Sequence, residues 1–165
     1  MPRGMGRLMA IEPSLELASL IEGYRRFRDV GWAERRERWA ALRQGQEPRV
    51  MVIACADSRT DPAMVFDSDP GEIFVIRNIA AMVPPFETTP GHHGVSAALE
   101  FAVDVLQVRE IVVMGHGMCG GCKAALTQEL RGNAPGEGGF IADWISLLDE
   151  VREPRTAAGV HSMTV

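Results

Sequence analysis

The chain has 165 residues, enough for one domain with a hydrophobic core, and its 46% hydrophobic and 24% charged residues are typical of a soluble globular protein. The net charge of −5 and the lack of a long basic run argue against nucleic acid or an anionic membrane surface as a partner. The apolar runs are too short to cross a bilayer, and the N-terminal segment lacks the apolar stretch of a signal peptide. We therefore expect a cytoplasmic protein with no membrane partner.

The first part of the chain has a helical pattern. Apolar residues recur at roughly helical spacing over residues 14–44, and Gly31 is interpreted as the break between two helices. Turn-forming residues from Gln44 to Pro48 then end the segment. Residues 1–45 are therefore predicted to form a helical arm.

Three short apolar runs follow the arm, and each predicts a strand. They cover residues 50–54, 73–76 and 111–114. The first is apolar at every position, as expected of a parallel strand buried on both faces. A helical stretch over residues 95–107 precedes the third run, and strands that alternate with helices predict an α/β fold. We expect a mostly parallel central sheet flanked by helices.

The rest of the chain contains loops, one more helix and a tail. Residues 84–94 and 132–139 are rich in turn-forming residues, and an amphipathic helix is predicted over residues 140–151. The remaining residues show no periodicity. The predicted organisation is a single domain with a helical arm (1–45), an α/β core (46–151) and an irregular tail (152–165).

Two of the predicted strands end in residues that can carry chemistry. Cys55, Asp57 and Arg59 follow the first strand, and His116 and Cys119 follow the third. In an open α/β sheet, ligands bind at the carboxyl ends of strands where the strand order reverses. Two thiols and one imidazole form a zinc ligand set that leaves a fourth position open. A lone cysteine or histidine there would be read as a buried hydrophobe or a satisfied turn residue, so the prediction depends on the combination.

Residues 120–122 follow the second of these clusters directly. The glycine pair Gly120 and Gly121 is interpreted as a sharp turn from strand to helix, whose N-terminal amides would favour an anion. Cys122 forms a Cys-x-x-Cys pattern with Cys119, which admits redox chemistry or alternative ligation. We expect Cys122 to pack on the first turn of the following helix. An odd number of cysteines in a chain of this size argues against a disulfide framework.

The spacing of these residues resembles the paired signature of β-class carbonic anhydrases. Cys55-x-Asp57-Ser58-Arg59 with His116-x-x-Cys119 carries the resemblance, and residues 70–78, 83–85, 93–103 and 111–116 extend it in family order. It covers the chain from about Gln46 to Leu148. The resemblance implies a β-carbonic-anhydrase-like fold, N-terminal helices that pack across a dimer, and a homodimer or dimer of dimers.

The resemblance also implies a function, which is the reversible hydration of carbon dioxide to bicarbonate by a zinc-bound hydroxide. Cys55, His116 and Cys119 would bind Zn²⁺. Asp57 would accept a hydrogen bond from the hydroxide, and Arg59 would hold that carboxylate ionised and in place.

Four further residues match positions around the family's substrate. Gln46 matches a glutamine that, in one subgroup, donates a hydrogen bond to substrate across the dimer interface, although an exposed loop glutamine is an equal alternative. Phe74, Ile79 and Phe101 match apolar positions around the CO₂ pocket, although such residues are also ordinary core residues. Ala81 departs from the pattern because the family usually has asparagine there.

Two alternative functions stay open from the sequence. One is hydrolysis of carbon disulfide or carbonyl sulfide on the same scaffold. The other is a zinc-binding but catalytically inactive chain, because the tail does not resemble the strand and helix with which the family usually continues. In that case we expect an open sheet edge and low stability.

Overall fold

The computed structural model describes residues 14–152, so the predicted tail, apart from Arg152, lies outside the described residues. The chain divides into two units between Gly45 and Gln46. In the described part of the first unit, four helical segments follow one another: α1 (Leu15–Arg26), a π-helical turn (Phe27–Gly31), α2 (Trp32–Glu34) and α3 (Arg36–Leu42). None of the residues in these four segments is buried in the single chain.

Gly31 does not separate two helices, so that prediction is wrong. Its backbone angles are helical (φ −61°, ψ −34°), and the break lies at Arg35 (φ −108°, ψ 27°). Trp32 stacks on Trp39 with the ring centroids 5.0 Å apart, and Phe27 packs edge-on against Trp39 at 5.9 Å. Glycine costs a helix only about 1 kcal/mol relative to alanine, and this ring packing outweighs that cost.

The second unit contains a parallel sheet of three strands, which confirms the predicted fold class. The strands are β1 (Val50–Cys55), β2 (Ile73–Asn78) and β3 (Glu110–Met114), in the order β2-β1-β3. In this register, Cys55 lies opposite Asn78 and Ala54 lies opposite Met114. Because the chain places β2 and β3 on opposite sides of β1, the strand order reverses at β1, where ligands bind in such sheets.

The central strand is buried because its side chains are apolar on both faces. Met51, Val52, Ile53 and Ala54 are at most 1% exposed. Helix α5 (Gly94–Glu100) continues into a π-helical turn (Phe101–Val105), as the sequence predicted, and Ala102 of this turn packs with Met51 and Ile53. Outer strand β3 is more open, since the side chains of Ile111 and Val113 are 45% and 57% exposed.

Three short helices complete the described part of this unit. The unpredicted helix α4 (Pro62–Val65) begins at Asp61, whose carboxylate accepts hydrogen bonds from the backbone N–H groups of Ala63 and Met64. Helix α6 (Gly120–Thr127) packs against α7 (Gly139–Ile145), the start of the helix predicted over residues 140–151. Met82, Ala124, Ala125 and Ile145 form the buried cluster on this side. No helix within residues 14–152 is long and apolar enough to cross a membrane.

The glycine pair at the start of α6, Gly120 and Gly121, has a different role from the predicted one. Neither glycine has a left-handed backbone, and the residue with positive φ in this connection is Met118 (φ 54°). A Cβ on Gly121 would lie 2.8 Å from Cγ2 of Ile79 and 3.0 Å from Cβ of Ala80. Gly121 is therefore required by the close packing of α6 on the turn after β2, a contact that no local pattern reveals.

Replacing Gly121 with alanine should lower the free energy of unfolding by about 1–3 kcal/mol, because the β-branched Ile79 and the backbone beside it must move. Urea unfolding measures this change. Gly120→Ala is the matched control, since a Cβ there meets nothing within 4 Å. Equal stability of the two variants would contradict the packing role.

Candidate metal centre

Cys55, His116 and Cys119 come together at the carboxyl end of the sheet. Cys55 is the last residue of β1, His116 follows β3, and Cys119 is the N-cap residue of α6. Their ligand atoms all lie within 4.8 Å of one another, and the two sulfur atoms are 3.9 Å apart. The three predicted metal ligands are thus brought together by the fold.

The imidazole of His116 is oriented for metal binding. Its Nδ1 lies 2.9 Å from the carbonyl oxygen of Gly117. Since a carbonyl only accepts, Nδ1 is the donor, and in the neutral imidazole this tautomer leaves the lone pair on Nε2, where a metal can bind. The side chain is 7% exposed, and Nε2 is buried without a hydrogen-bond partner among the described residues. A buried nitrogen that faces two thiols without a partner fits a metal ligand, and a backbone carbonyl is a common outer partner of such a histidine.

The two ligand thiols are also suited to zinc. Cys55 and Cys119 are 5% and 3% exposed. Burial raises the pKa of the Cys119 thiol, but hydrogen bonds from the backbone N–H groups of Cys122 and Gly121 outweigh it, so that the pKa lies below its ordinary value. Helix α6 thus stabilises a thiolate, the form that binds metal. The donor set of two thiolates and one imidazole fits Zn²⁺.

Cys122 stands outside this ligand set. It lies on the first turn of α6, as predicted, and packs against the cluster formed by Cys55, Ala81 and Cys119. Burial, followed by the charge of Cys119, raises the pKa of Cys122 to about 11. Cys122 is therefore a protonated thiol at neutral pH.

Asp57 and Arg59 form a tightly held pair beside the ligands. The guanidinium donates from Nε to Oδ1 at 2.8 Å and from Nη2 to Oδ2 at 2.7 Å, and the backbone N–H of Arg59 also donates to Oδ1 at 3.0 Å. These hydrogen bonds hold the pKa of the Asp57 carboxyl well below its usual range. Oδ2 of Asp57 lies 3.9 Å from Nε2 of His116. The loop after β1 thus places an ionised carboxylate next to the metal ligands.

Arg59 also connects the two loops that carry the ligands. Its Nη2 donates to the carbonyl oxygen of Met118 at 3.2 Å, next to Cys119. One guanidinium therefore fixes both the carboxylate after β1 and the main chain after β3.

Arg77 supports the site from β2, a role that sequence reasoning missed. Its Nε donates to the carbonyl oxygen of Cys55 at 2.9 Å, and its Nη2 donates to that of Asp57 at 2.6 Å. Its Nη1 pairs with Asp61 at 2.9 Å. The planar fork of one arginine thus holds the main chain on both sides of Ala56, which fixes where Cys55 and Asp57 point.

A strained turn after β2 packs against the thiols. Ala80 and Ala81 both have left-handed backbones (φ 65° and 54°), and Ala81 packs on Cys55 and Cys119. The Asn78 amide stabilises the turn through hydrogen bonds to the backbone N–H and carbonyl of Met82, each 2.8 Å long. Asparagine tolerates this conformation better than alanine, which gives a physical reason for the asparagine that the resemblance implies at position 81.

Trp144 of α7 also holds this turn, a second contact that sequence reasoning missed. Its indole N–H donates to the carbonyl oxygen of Ile79 at 2.8 Å, across 65 residues of sequence. Through this bond, α7 supports the turn on which the thiols pack.

The predicted substrate-binding residues fall in different regions. Ile79 lies beside the site, next to Gly121. Phe74 instead pairs in register with Met51, four residues before Cys55, which corresponds to about 13 Å along the strand. Phe101 packs on Phe74 with ring centroids 5.8 Å apart.

Gln46 is also distant from the ligands of its own chain. It is exposed and lies before β1, at the opposite end of that strand from Cys55. Of the four residues, the fold therefore brings Ile79 alone to the site within one chain.

Residues 50–164 match the family model described as "Carbonic anhydrase", so the chain belongs to this family. The match continues past Leu148, where the resemblance in the sequence ends. A carbonic anhydrase of Synechocystis sp. is 36% identical over 134 residues, covering 81% of this chain and 47% of that protein. The chain spans about half the length of the curated relatives it matches.

Solved structures show the same fold. The β-carbonic anhydrase CcaA matches with a TM-score of 0.81 and 32% identity, over 92% of this chain and 66% of that chain. The tetrameric β-carbonic anhydrases of Sordaria macrospora match with a TM-score of 0.77 and 26% identity, over 92% of this chain and 71% of that chain. The predicted β class is thus confirmed.

The folded protein should bind about one zinc ion per chain, as a three-ligand site requires. Cys55→Ser or His116→Ala should lose most of the zinc, because each removes one of the grouped ligand atoms. Cys122→Ser should retain it and serves as the control. Elemental analysis of the purified variants gives the metal content, and equal zinc loss from the control would mean that the ligand set is wrong.

Arg77→Lys should lower the free energy of unfolding by about 1–3 kcal/mol, because one ammonium cannot replace a fork that reaches three acceptors. Arg131→Lys is the matched control, since Arg131 is exposed and its guanidinium donates to Gln128. Urea unfolding of both variants tests this expectation, and a similar small loss in the two would show that Arg77 is not a support of the site.

Proposed function

We propose that this protein catalyses the reversible hydration of carbon dioxide to bicarbonate. The observation that carries this proposal is the position of Asp57, whose carboxylate is fixed by three hydrogen bonds from Arg59 and lies 3.9 Å from Nε2 of a metal ligand. An acceptor held beside an open metal position suits the activation of water for attack on a small electrophile.

The metal and the side chains have separate roles. Zinc held by Cys55, His116 and Cys119 would supply a Lewis acid that acidifies water at an open fourth position. Asp57 is ionised and can only accept hydrogen bonds, so it orients the proton-bearing oxygen of the nucleophile. Arg59 holds the rotamer of Asp57, which removes the cost of ordering that carboxylate during the reaction.

The substrate pocket is proposed to form between two copies of the chain. Gln46, Phe74 and Phe101 are placed away from the ligands of their own chain, so a second copy would have to supply them. A helical arm without buried residues and the tetrameric relatives of S. macrospora support an oligomer. In this arrangement Gln46 would donate to a bicarbonate oxygen, and the two aromatic rings would form an apolar wall for CO₂.

A cytoplasmic location is also part of the proposal. It is supported by the three free cysteines, since thiols persist in reducing compartments. Fractionation of the producing cells tests it.

Asp57→Asn should lower the rate of CO₂ hydration by at least about tenfold with little change in zinc content, because the amide keeps the shape but loses the charge that orients the nucleophile. Stopped-flow measurement of proton release, with zinc assayed on the same sample, separates the two effects. The control is Asp104→Asn, an exposed carboxylate on the helical turn after α5.

Two outcomes would contradict the proposal. Unchanged turnover in Asp57→Asn would remove the assigned role of this carboxylate. A zinc-loaded wild-type protein without CO₂ hydration would favour the inactive alternative, and sulfide release from carbon disulfide or carbonyl sulfide in that same sample would identify the hydrolase alternative.

A further inference from the structure

The metal centre contains one thiol more than zinc binding uses. Cys122 packs against the cluster of Cys55, Ala81 and Cys119. All three cysteines are free thiols. Thus Cys119, a metal ligand, has a second thiol as a neighbour on the same helix.

The backbone of α6 places these two side chains next to each other. Cys119 is the N-cap residue (φ −65°, ψ 122°), and Cys122 is the third residue of the helix. A side chain at the N-cap points toward the third residue of its helix. Cysteines three residues apart at a helix N-terminus are the arrangement of reversible dithiol sites.

Cys55 is a less suitable disulfide partner for Cys119. The two sulfur atoms are already 3.9 Å apart, so the obstacle to this bond lies in the elements that carry the two residues. Cys55 ends a strand that is hydrogen-bonded on both sides, and the carbonyl of Cys55 is also held by Arg77. A bond between Cys55 and Cys119 would have to draw together the central strand and α6.

We propose that, in the zinc-free protein, a peroxide oxidises Cys119 and Cys122 to a disulfide that prevents zinc from binding. This proposal depends on the zinc site assigned above. Peroxide oxidises the Cys119 sulfur to a sulfenic acid and releases one water. The Cys122 thiol then displaces that oxygen as a second water, and the S–S bond forms. The two thiols lose two electrons in total, and the peroxide is reduced to water.

Zinc and peroxide therefore compete for the same sulfur. A bound metal occupies Cys119 and protects it from oxidation, whereas the disulfide removes one of three ligands. Because the oxidised product is a disulfide, a dithiol reductant restores the site, whereas overoxidation of a lone cysteine to a sulfinic acid would be irreversible. The additional thiol of Cys122 thus makes the oxidation of Cys119 reversible.

The test compares reduced zinc-free protein with reduced zinc-loaded protein, each treated with hydrogen peroxide. Peptide mapping by mass spectrometry under non-reducing conditions should find a disulfide between Cys119 and Cys122 in the zinc-free sample and little in the zinc-loaded one. Zinc affinity, measured by competition with a chelating dye, should fall at least about tenfold after oxidation and recover with dithiothreitol.

Cys122→Ser and Cys122→Ala are the matched variants. Before oxidation both should bind zinc like the wild type. Excess peroxide should then oxidise Cys119 in both variants past the sulfenic acid, which dithiothreitol reduces, to the sulfinic acid, so that zinc binding is lost without recovery. A disulfide between Cys55 and Cys119 in the wild type, or full recovery of either variant, would overturn the proposal. A reduced wild-type protein that binds no zinc would overturn the zinc site instead, since the disulfide is mapped independently of metal and of activity.

Discussion

Strand β1 is hydrogen-bonded on both sides and buried on both faces, and its last residue is a metal ligand. The position of Cys55 is therefore set by the register with β2 and by the register with β3, which extends to the preceding residue, Ala54. In one of them Cys55 lies opposite Asn78, which also clamps the turn that packs on the thiols. The other ligands come from the connection after β3, the second neighbour of β1. A centre built at the end of the most constrained strand can hold its ligands in place before any metal arrives.

Two arginines hold different parts of this centre. Arg77 binds main-chain carbonyls on both sides of Ala56, whereas Arg59 binds the Asp57 carboxylate and one carbonyl beside Cys119. Neither guanidinium is buried, since the side chains of Arg59 and Arg77 are 59% and 26% exposed. The site therefore gains the strength of paired, charge-assisted hydrogen bonds without the large desolvation penalty of ions in a closed core.

The parts of the site that could be predicted from sequence are those with a local pattern. Three apolar runs predicted the strands, and the residues that directly follow two of them predicted the ligands. The pairing of Asp57 with Arg59 was implied by the resemblance to the family. The roles of Arg77 and Trp144 could not be predicted because both side chains donate to backbone carbonyls. Every residue has a backbone carbonyl, so the residue types do not indicate such contacts. Gly31 was predicted to break the helix because its low helix propensity can be read from the residue itself. The packing of three aromatic rings that overrides this propensity cannot.

The ligands of this centre are far apart in the chain, since Cys119 lies 64 positions after Cys55. An unfolded chain that gathered them would have to close a loop of that length, which costs about 4 kcal/mol in entropy. Metal-binding peptides with adjacent ligands can capture zinc first and fold around it. Here the strands have to pair before the ligands lie together. A misregistered or partly folded copy has separated thiols and binds no zinc. Zinc therefore stabilises only the copies whose strands are correctly aligned.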